Sequence, residues 1–195
     1  RSGLTEAQSK RTVALPLGLD FQKVEGKTGG FGVNHATWQE QLALLLRIRR
    51  SAPPLKERQR KILVSWSSQS NTGHRHAPAY KMRPQLLHEA KMNAHGLFTF
   101  PNGTHVNRTK TWMHMSQVAF VYSPIGSGFD CHRTWEALAL GCIVIAQPSP
   151  VAREFIGQFP IVMHNNPADI TPEDLQKWLR RFPTATDIER LKMKT

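Results

Sequence analysis

The sequence predicts an α/β domain in which helices flank a parallel sheet. Three observations lead there. Short apolar runs of strand length recur at 62–66, 119–122, 142–146 and 161–163, without the polar alternation of a half-exposed strand, so each reads as buried on both faces. Between these runs stand stretches with helical periodicity and recognisable caps. With 195 residues, 39% of them apolar, the chain can bury one core but not two full ones.

The elements follow in order. Residues 1–11 are polar and expected to fray, and 12–195 to form a single domain. Residues 12–19 form a short apolar run, broken by Pro16 and Gly18, that reads as a strand and its exit. Four glycines between Gly26 and Gly32 mark a loop. Thr37-Trp38-Gln39-Glu40 has capping-box spacing, and Trp38, Leu42, Leu45 and Leu46 share a face, predicting a helix over 38–50 that Pro53-Pro54 ends. A strand at 62–66 leads into a polar loop at 67–76. A helix follows over 78–93, which Pro84 should kink or shorten. Residues 97–100 read as a small strand, 101–109 as a loop and 111–118 as one or two helical turns. The strand at 119–122, a helix over 131–140, the strand at 142–146, a short helix within 149–157 and the strand at 161–163 complete the alternation. In the last helix Thr171 caps, Pro172 takes the first position, and Leu175, Trp178, Leu179 and Phe182 form an i, i+3, i+4, i+7 stripe that belongs to the core.

Twenty-six Lys and Arg against fourteen Asp and Glu give a net charge of +12, which favours a polyanionic partner. The densest basic stretch, 47–61, reads as a solvated helix end and linker. It has few interleaved aromatics and no nucleic-acid motif, so no nucleic-acid partner is expected. No apolar run approaches the roughly 18 residues of a membrane helix. Residues 42–46, between Gln41 and Arg47, span only five. Nothing near Arg1 resembles a signal peptide, and the chain reads as a piece of a longer protein. Cys131 and Cys142 flank one predicted helix at a separation of about 16 Å, too far for a disulfide. Two sequons, Asn102-Gly103-Thr104 and Asn107-Arg108-Thr109, lean slightly towards a secretory lumen.

In parallel α/β sheets ligands sit beyond the carboxyl ends of strands, which singles out the loops at 67–76 and 123–130. The second leaves a strand through Ser123, Gly126 and Gly128 and enters a helix. It has neither the third glycine of a dinucleotide fingerprint nor the lysine of a P-loop. If Asp130 caps that helix, His132 and Arg133 fall in its first turn, where cations are unfavourable unless an anion offsets them. A diphosphate on the free backbone N–H groups would resolve the conflict, and Glu136, one turn on, suits the hydroxyls of a ribose. The alternative at this point is an Arg133–Glu136 surface pair with a solvated His132.

The run Ser123-Pro-Ile-Gly-Ser-Gly-Phe-Asp-Cys-His-Arg-Thr-Trp-Glu-Ala-Leu-Ala-Leu-Gly-Cys-Ile-Val-Ile145 resembles the donor-site motif of exostosin-like glycosyltransferases and their relatives in algae and large DNA viruses. Looser context extends over 15–179. These enzymes have two-domain GT-B architecture, whose C-terminal Rossmann-like domain holds the nucleotide-sugar. The resemblance implies that half of such an enzyme: a Rossmann-like parallel sheet, Arg133 and His132 on the diphosphate, and Glu136 on the ribose. It also implies a UDP- or GDP-linked donor, a glycan or glycoprotein acceptor, and a Golgi-lumenal or, for a viral protein, cytoplasmic setting.

Departures accompany it. Val144 stands where the family carries proline, and where the retaining GT-B pattern puts a second glutamate, eight residues after Glu136, so anomeric outcome stays open. No Asp-x-Asp pair occurs among the five aspartates, which argues against a metal-dependent GT-A site, and no cofactor or metal is expected. His74-x-His76 has no nearby carboxylate or cysteine to complete a metal site. In the other loop, Ser67 and Arg75 stand where fucosyltransferase-like GT-B domains place a polar loop and an arginine for the donor phosphates; the alternative for Arg75 is a solvated cation. No catalytic base is identified. A non-catalytic nucleotide- or phosphate-binding module is the competing reading, and a nucleic-acid-binding basic domain a third.

Overall fold

A computed structural model of the chain describes residues 15–19, 21, 37–66, 78–101, 107–126 and 128–186, with the backbone alone at 78–81. Ser67, Arg75, His74, His76, the glycine loop at 26–32, the first sequon and residues 1–11 lie outside the described residues.

Helix α1 (Trp38–Ser51) leads through a single 3-10 turn to β1 (Gln59–Val64). Next come α2 (Pro78–Lys91), β2 (Phe98–Thr99), α3 (Arg108–Gln117) and β3 (Val118–Ser123). The chain continues through α4 (His132–Ala139), β4 (Ile143–Ala146), α5 (Pro150–Phe155), β5 (Ile161–Met163) and α6 (Pro172–Arg181). The five strands form one sheet in the order β2-β1-β3-β4-β5, every neighbouring pair parallel. The predicted α/β class and parallel Rossmann-like sheet are therefore present. The chain places β2 on one side of β1, then crosses to the other side for β3. The connections from β1 and β3 therefore run to opposite sides, which makes the crevice at the carboxyl ends of these two strands the topological switch point, where sheets of this kind bind ligands.

β3 and β4 read as buried apolar runs because helices cover both faces, whereas β1 starts three residues earlier than the predicted 62–66, with exposed Gln59, Arg60 and Lys61. Leu63, Val121, Val144 and Ile161 pack with Leu45, Trp112, Trp135 and Leu138 of α1, α3 and α4. Their neighbours Ile62, Phe120, Ile143 and Val162 face the opposite layer with Leu86 and Trp178 of α2 and α6.

Local chemistry sets the ends. Thr37 and Glu40 complete the predicted capping box of α1, and Thr171 and Asp174 cap α6 in the same way. Helix α4 ends in a Schellman motif: the Gly141 N–H donates to the Leu138 carbonyl and the Cys142 N–H to the Ala137 carbonyl, both at 2.9 Å. Gly141 takes φ +83°, a backbone conformation in which an L side chain is strained, so glycine suits position 141.

Several expectations are corrected. Residues 15–19 join no strand of the described sheet; Pro16 has no N–H to donate, and Gly18 turns the chain at φ +74°. Trp38 lies outside the inward stripe of α1 and is 57% exposed, while Gln41 is buried instead because it accepts from Arg108. Of the basic run read as solvated, Arg58 is only 5% exposed and donates to the Leu140 carbonyl at 2.9 Å, serving the end of α4. Helix α3 starts earlier than the spacing predicts, since Asn107 caps it by accepting from the Lys110 N–H. Pro84 sits inside α2 without ending it, on the exposed face where water can take the carbonyl left without a donor.

Cys142 is fully buried and donates its S–H to the Met115 carbonyl at 3.1 Å, and burial pushes its thiol up to about 11. Cys131 is half-buried, and neither thiol is in a disulfide. A maleimide at neutral pH is therefore expected to label Cys131 alone in the folded protein, and both thiols after unfolding. Mass spectrometry of the labelled chain checks this; native labelling at Cys142 would contradict the closed core.

Candidate functional site

The loop after β3 is built by contacts from four directions. Ser123 ends the strand, and its hydroxyl lies 2.9 Å from that of Thr134 in α4, tying strand to helix. The Ile125 N–H donates to the buried Gln147 side chain from the far end of β4 (2.9 Å). Gly126 donates its N–H to the Gly128 carbonyl (3.1 Å), closing a tight turn. From α2, Arg83 donates its Nε–H to the Ile125 carbonyl (3.3 Å), and a Cβ at Gly126 would stand only 3.3 Å from Arg83 Nη2. Glycine at 126 thus permits a close approach of backbone to guanidinium.

Asp130 does not cap α4. Cys131 holds that position and offers no side-chain hydrogen bond. The Asp130 carboxylate is occupied otherwise: Oδ1 accepts from the Cys131 N–H (2.7 Å), and Oδ2 from the Leu17 N–H (2.7 Å) and the Trp135 indole (2.8 Å). The first turn of α4 therefore has no side-chain oxygen at its cap, while carrying two candidate cations. His132 Nδ1 lies 3.1 Å from the Gly18 carbonyl, so that nitrogen carries the proton in this contact. Arg133 reaches across the crevice and donates Nε–H to the Ser65 carbonyl just past β1 (3.0 Å), with Nη1 3.7 Å from the Cys131 sulfur.

Glu136 lies beneath these groups, 5% exposed, and pairs with Arg108 of α3 at 3.4 Å. Arg108 is itself braced by Gln41 and stacks over the Trp112 ring at 5.8 Å. Burial pushes the Glu136 carboxyl above the usual carboxylate range; Arg108 opposes the shift most, with Trp112, Arg133 and His132 acting in the same sense. The Arg133–Glu136 surface pair does not form. Behind the loop, Ile125, Phe129, Trp135, Gln147 and Phe155 help to line a cavity of about 20 Å³, room for about one water.

The structure thus brings Ser123, Gly126, Gly128, Asp130, His132 and Arg133 to one end of the sheet, with Glu136 a turn deeper. Sequence reasoning missed Arg83, Gln147 and Arg108, whose partners lie on other elements. Among the described residues no three His, Cys, Asp or Glu side chains converge as a metal site, and no catalytic group is evident. No described helix is long and apolar enough to cross a membrane.

Fold and switch-point crevice define a Rossmann-like module, the architecture of nucleotide- and cofactor-binding domains. No protein-family model and no curated protein matches the chain.

Proposed function

We propose that this domain binds the nucleoside diphosphate part of a UDP- or GDP-linked sugar and belongs to a glycosyltransferase of GT-B type. One observation carries the reading: the glycine loop at the switch point opens onto a helix start that lacks a side-chain cap and carries His132 and Arg133, with Arg133 anchored across the crevice on Ser65. Unpaired backbone N–H groups and the positive helix end attract phosphate, and a guanidinium can meet it with two parallel hydrogen bonds. As the sugar leaves, negative charge grows on the diphosphate, and preorganised cations stabilise that charge without reorganising. Ser67 and Arg75 contribute from the β1 side in this proposal, and Ser123 and Asp130 shape the loop. The resemblance assigns Glu136 to the ribose; its burial and its pairing with Arg108 favour a supporting place beneath the cations.

Cations of the protein then do the work a divalent ion does elsewhere. Calorimetric titration with UDP and GDP is expected to give the same affinity with and without EDTA. Binding that vanishes on chelation would overturn the metal-independent form, and absence of binding to either nucleotide would overturn the whole reading. The second reading, a nucleotide-binding module without transfer activity, is favoured by the lack of a catalytic group among the described residues. Hydrolysis of the donor in the absence of acceptor separates the two.

A further inference from the structure

Helices α2 and α4 each send one arginine across the switch-point crevice, in opposite directions. Arg133, on the helix that follows β3, holds the Ser65 carbonyl at the exit of β1. Arg83, on the helix that follows β1, holds the Ile125 carbonyl at the exit of β3. Each bank of the crevice is therefore tied to the helix rising from the other. Arg83 is 4% exposed, and a Cβ at Gly126 would stand 3.3 Å from its guanidinium, close enough that one of the two would have to shift by a few tenths of an ångström. A buried guanidinium is costly to keep, and an apolar side chain would fill the same volume more cheaply. Its planar fork and permanent charge suit a task that packing alone does not set.

We propose that Arg83 is a positioning residue of the anion site, holding the backbone at Ile125 and Gly126 in the shape that presents the loop and the start of α4 to a phosphate. The inference rests on the diphosphate reading above and adds to it a second arginine, from α2, that acts through the Ile125 carbonyl.

Inorganic pyrophosphate is the probe, titrated calorimetrically into the whole chain and into the variants Arg83→Met, Arg83→Lys and Gly126→Ala, with thermal unfolding recorded for each. Arg83→Met is expected to weaken pyrophosphate binding about tenfold or more. Arg83→Lys, which keeps the charge and loses the fork, should fall between it and the unmodified chain. Gly126→Ala keeps Arg83 but crowds its guanidinium, and should weaken binding in the same direction. A folded Arg83→Met with unchanged affinity overturns the inference, as does a loss that merely follows the melting temperature across the three variants. If Arg83→Met does not fold, Arg83→Lys decides: undiminished affinity there is equally fatal. Binding that is lost in Arg133→Ala and retained in Arg83→Met overturns this inference alone. Failure of the unmodified chain to bind pyrophosphate removes the diphosphate reading, and this inference with it.

Discussion

Replacing Arg108 by methionine is expected to cost the fold about 3–5 kcal/mol, because it leaves the buried Glu136 carboxylate without the guanidinium that offsets its burial. Urea unfolding measures the loss. Replacing Glu136 and Arg108 together by methionine should recover most of it, since two apolar side chains leave no stranded charge. A folded Glu136→Gln variant of normal stability that loses nucleoside diphosphates but keeps pyrophosphate would instead place this carboxylate on the ribose. The pH dependence has a definite sign. Burial holds the folded-state carboxyl above the usual range, so the unfolded chain ionises first as pH rises. The stability tied to this proton is complete below the ordinary carboxylate pKa and lost as pH rises through the folded value. Unfolding midpoints across that window should slope downward with pH in the unmodified chain, and flatten in Glu136→Gln.

Replacing Arg133 by alanine is expected to weaken pyrophosphate, UDP and GDP alike by about 1.5–3 kcal/mol, or roughly 10- to 150-fold. The phosphate is common to the three ligands, so the losses should be similar. The variant also gives up the hydrogen bond to the Ser65 carbonyl, a loss to stability of only about 1 kcal/mol. Circular dichroism and thermal unfolding confirm that the variant remains folded, and calorimetry reads the affinities. Unchanged binding of all three ligands would mean that the anion site lies elsewhere.

What could be read in the sequence was local. The capping box at Thr37, the cap at Thr171 and the strand at 161–163 stand where periodicity and cap chemistry put them, since each is decided by residues within a turn or two. The apolar runs also imply helices on both faces, and hence a parallel sheet. Long-range pairings were not legible. Asp130 has cap spacing, yet its carboxylate is taken by the Leu17 N–H, an interaction that no spacing encodes. Glu136 looks like a surface or ribose residue until Arg108 arrives from a helix whose Asn107 cap lies inside an apparent loop. Arg83 sits beside a helix-interior proline in a polar stretch, and only the fold carries it to Ile125. The candidate site follows the same division: the glycine loop, His132 and Arg133 are contiguous in the sequence, while the groups that brace them are not.

The all-parallel sheet also bears on the time the chain needs to find its fold. Parallel neighbours cannot be joined by a tight hairpin, so each pairing must wait for a crossover to close. The central pair is the most demanding, because Ile62 of β1 meets Phe120 of β3 only after α2, β2 and α3 have been looped out between them. The entropy of that closure is spent before any contact returns it, which slows folding relative to locally paired topologies. Until β3 docks, the apolar edge of β1 stays open to other chains, so dilute refolding and molecular chaperones should favour a high yield of this domain.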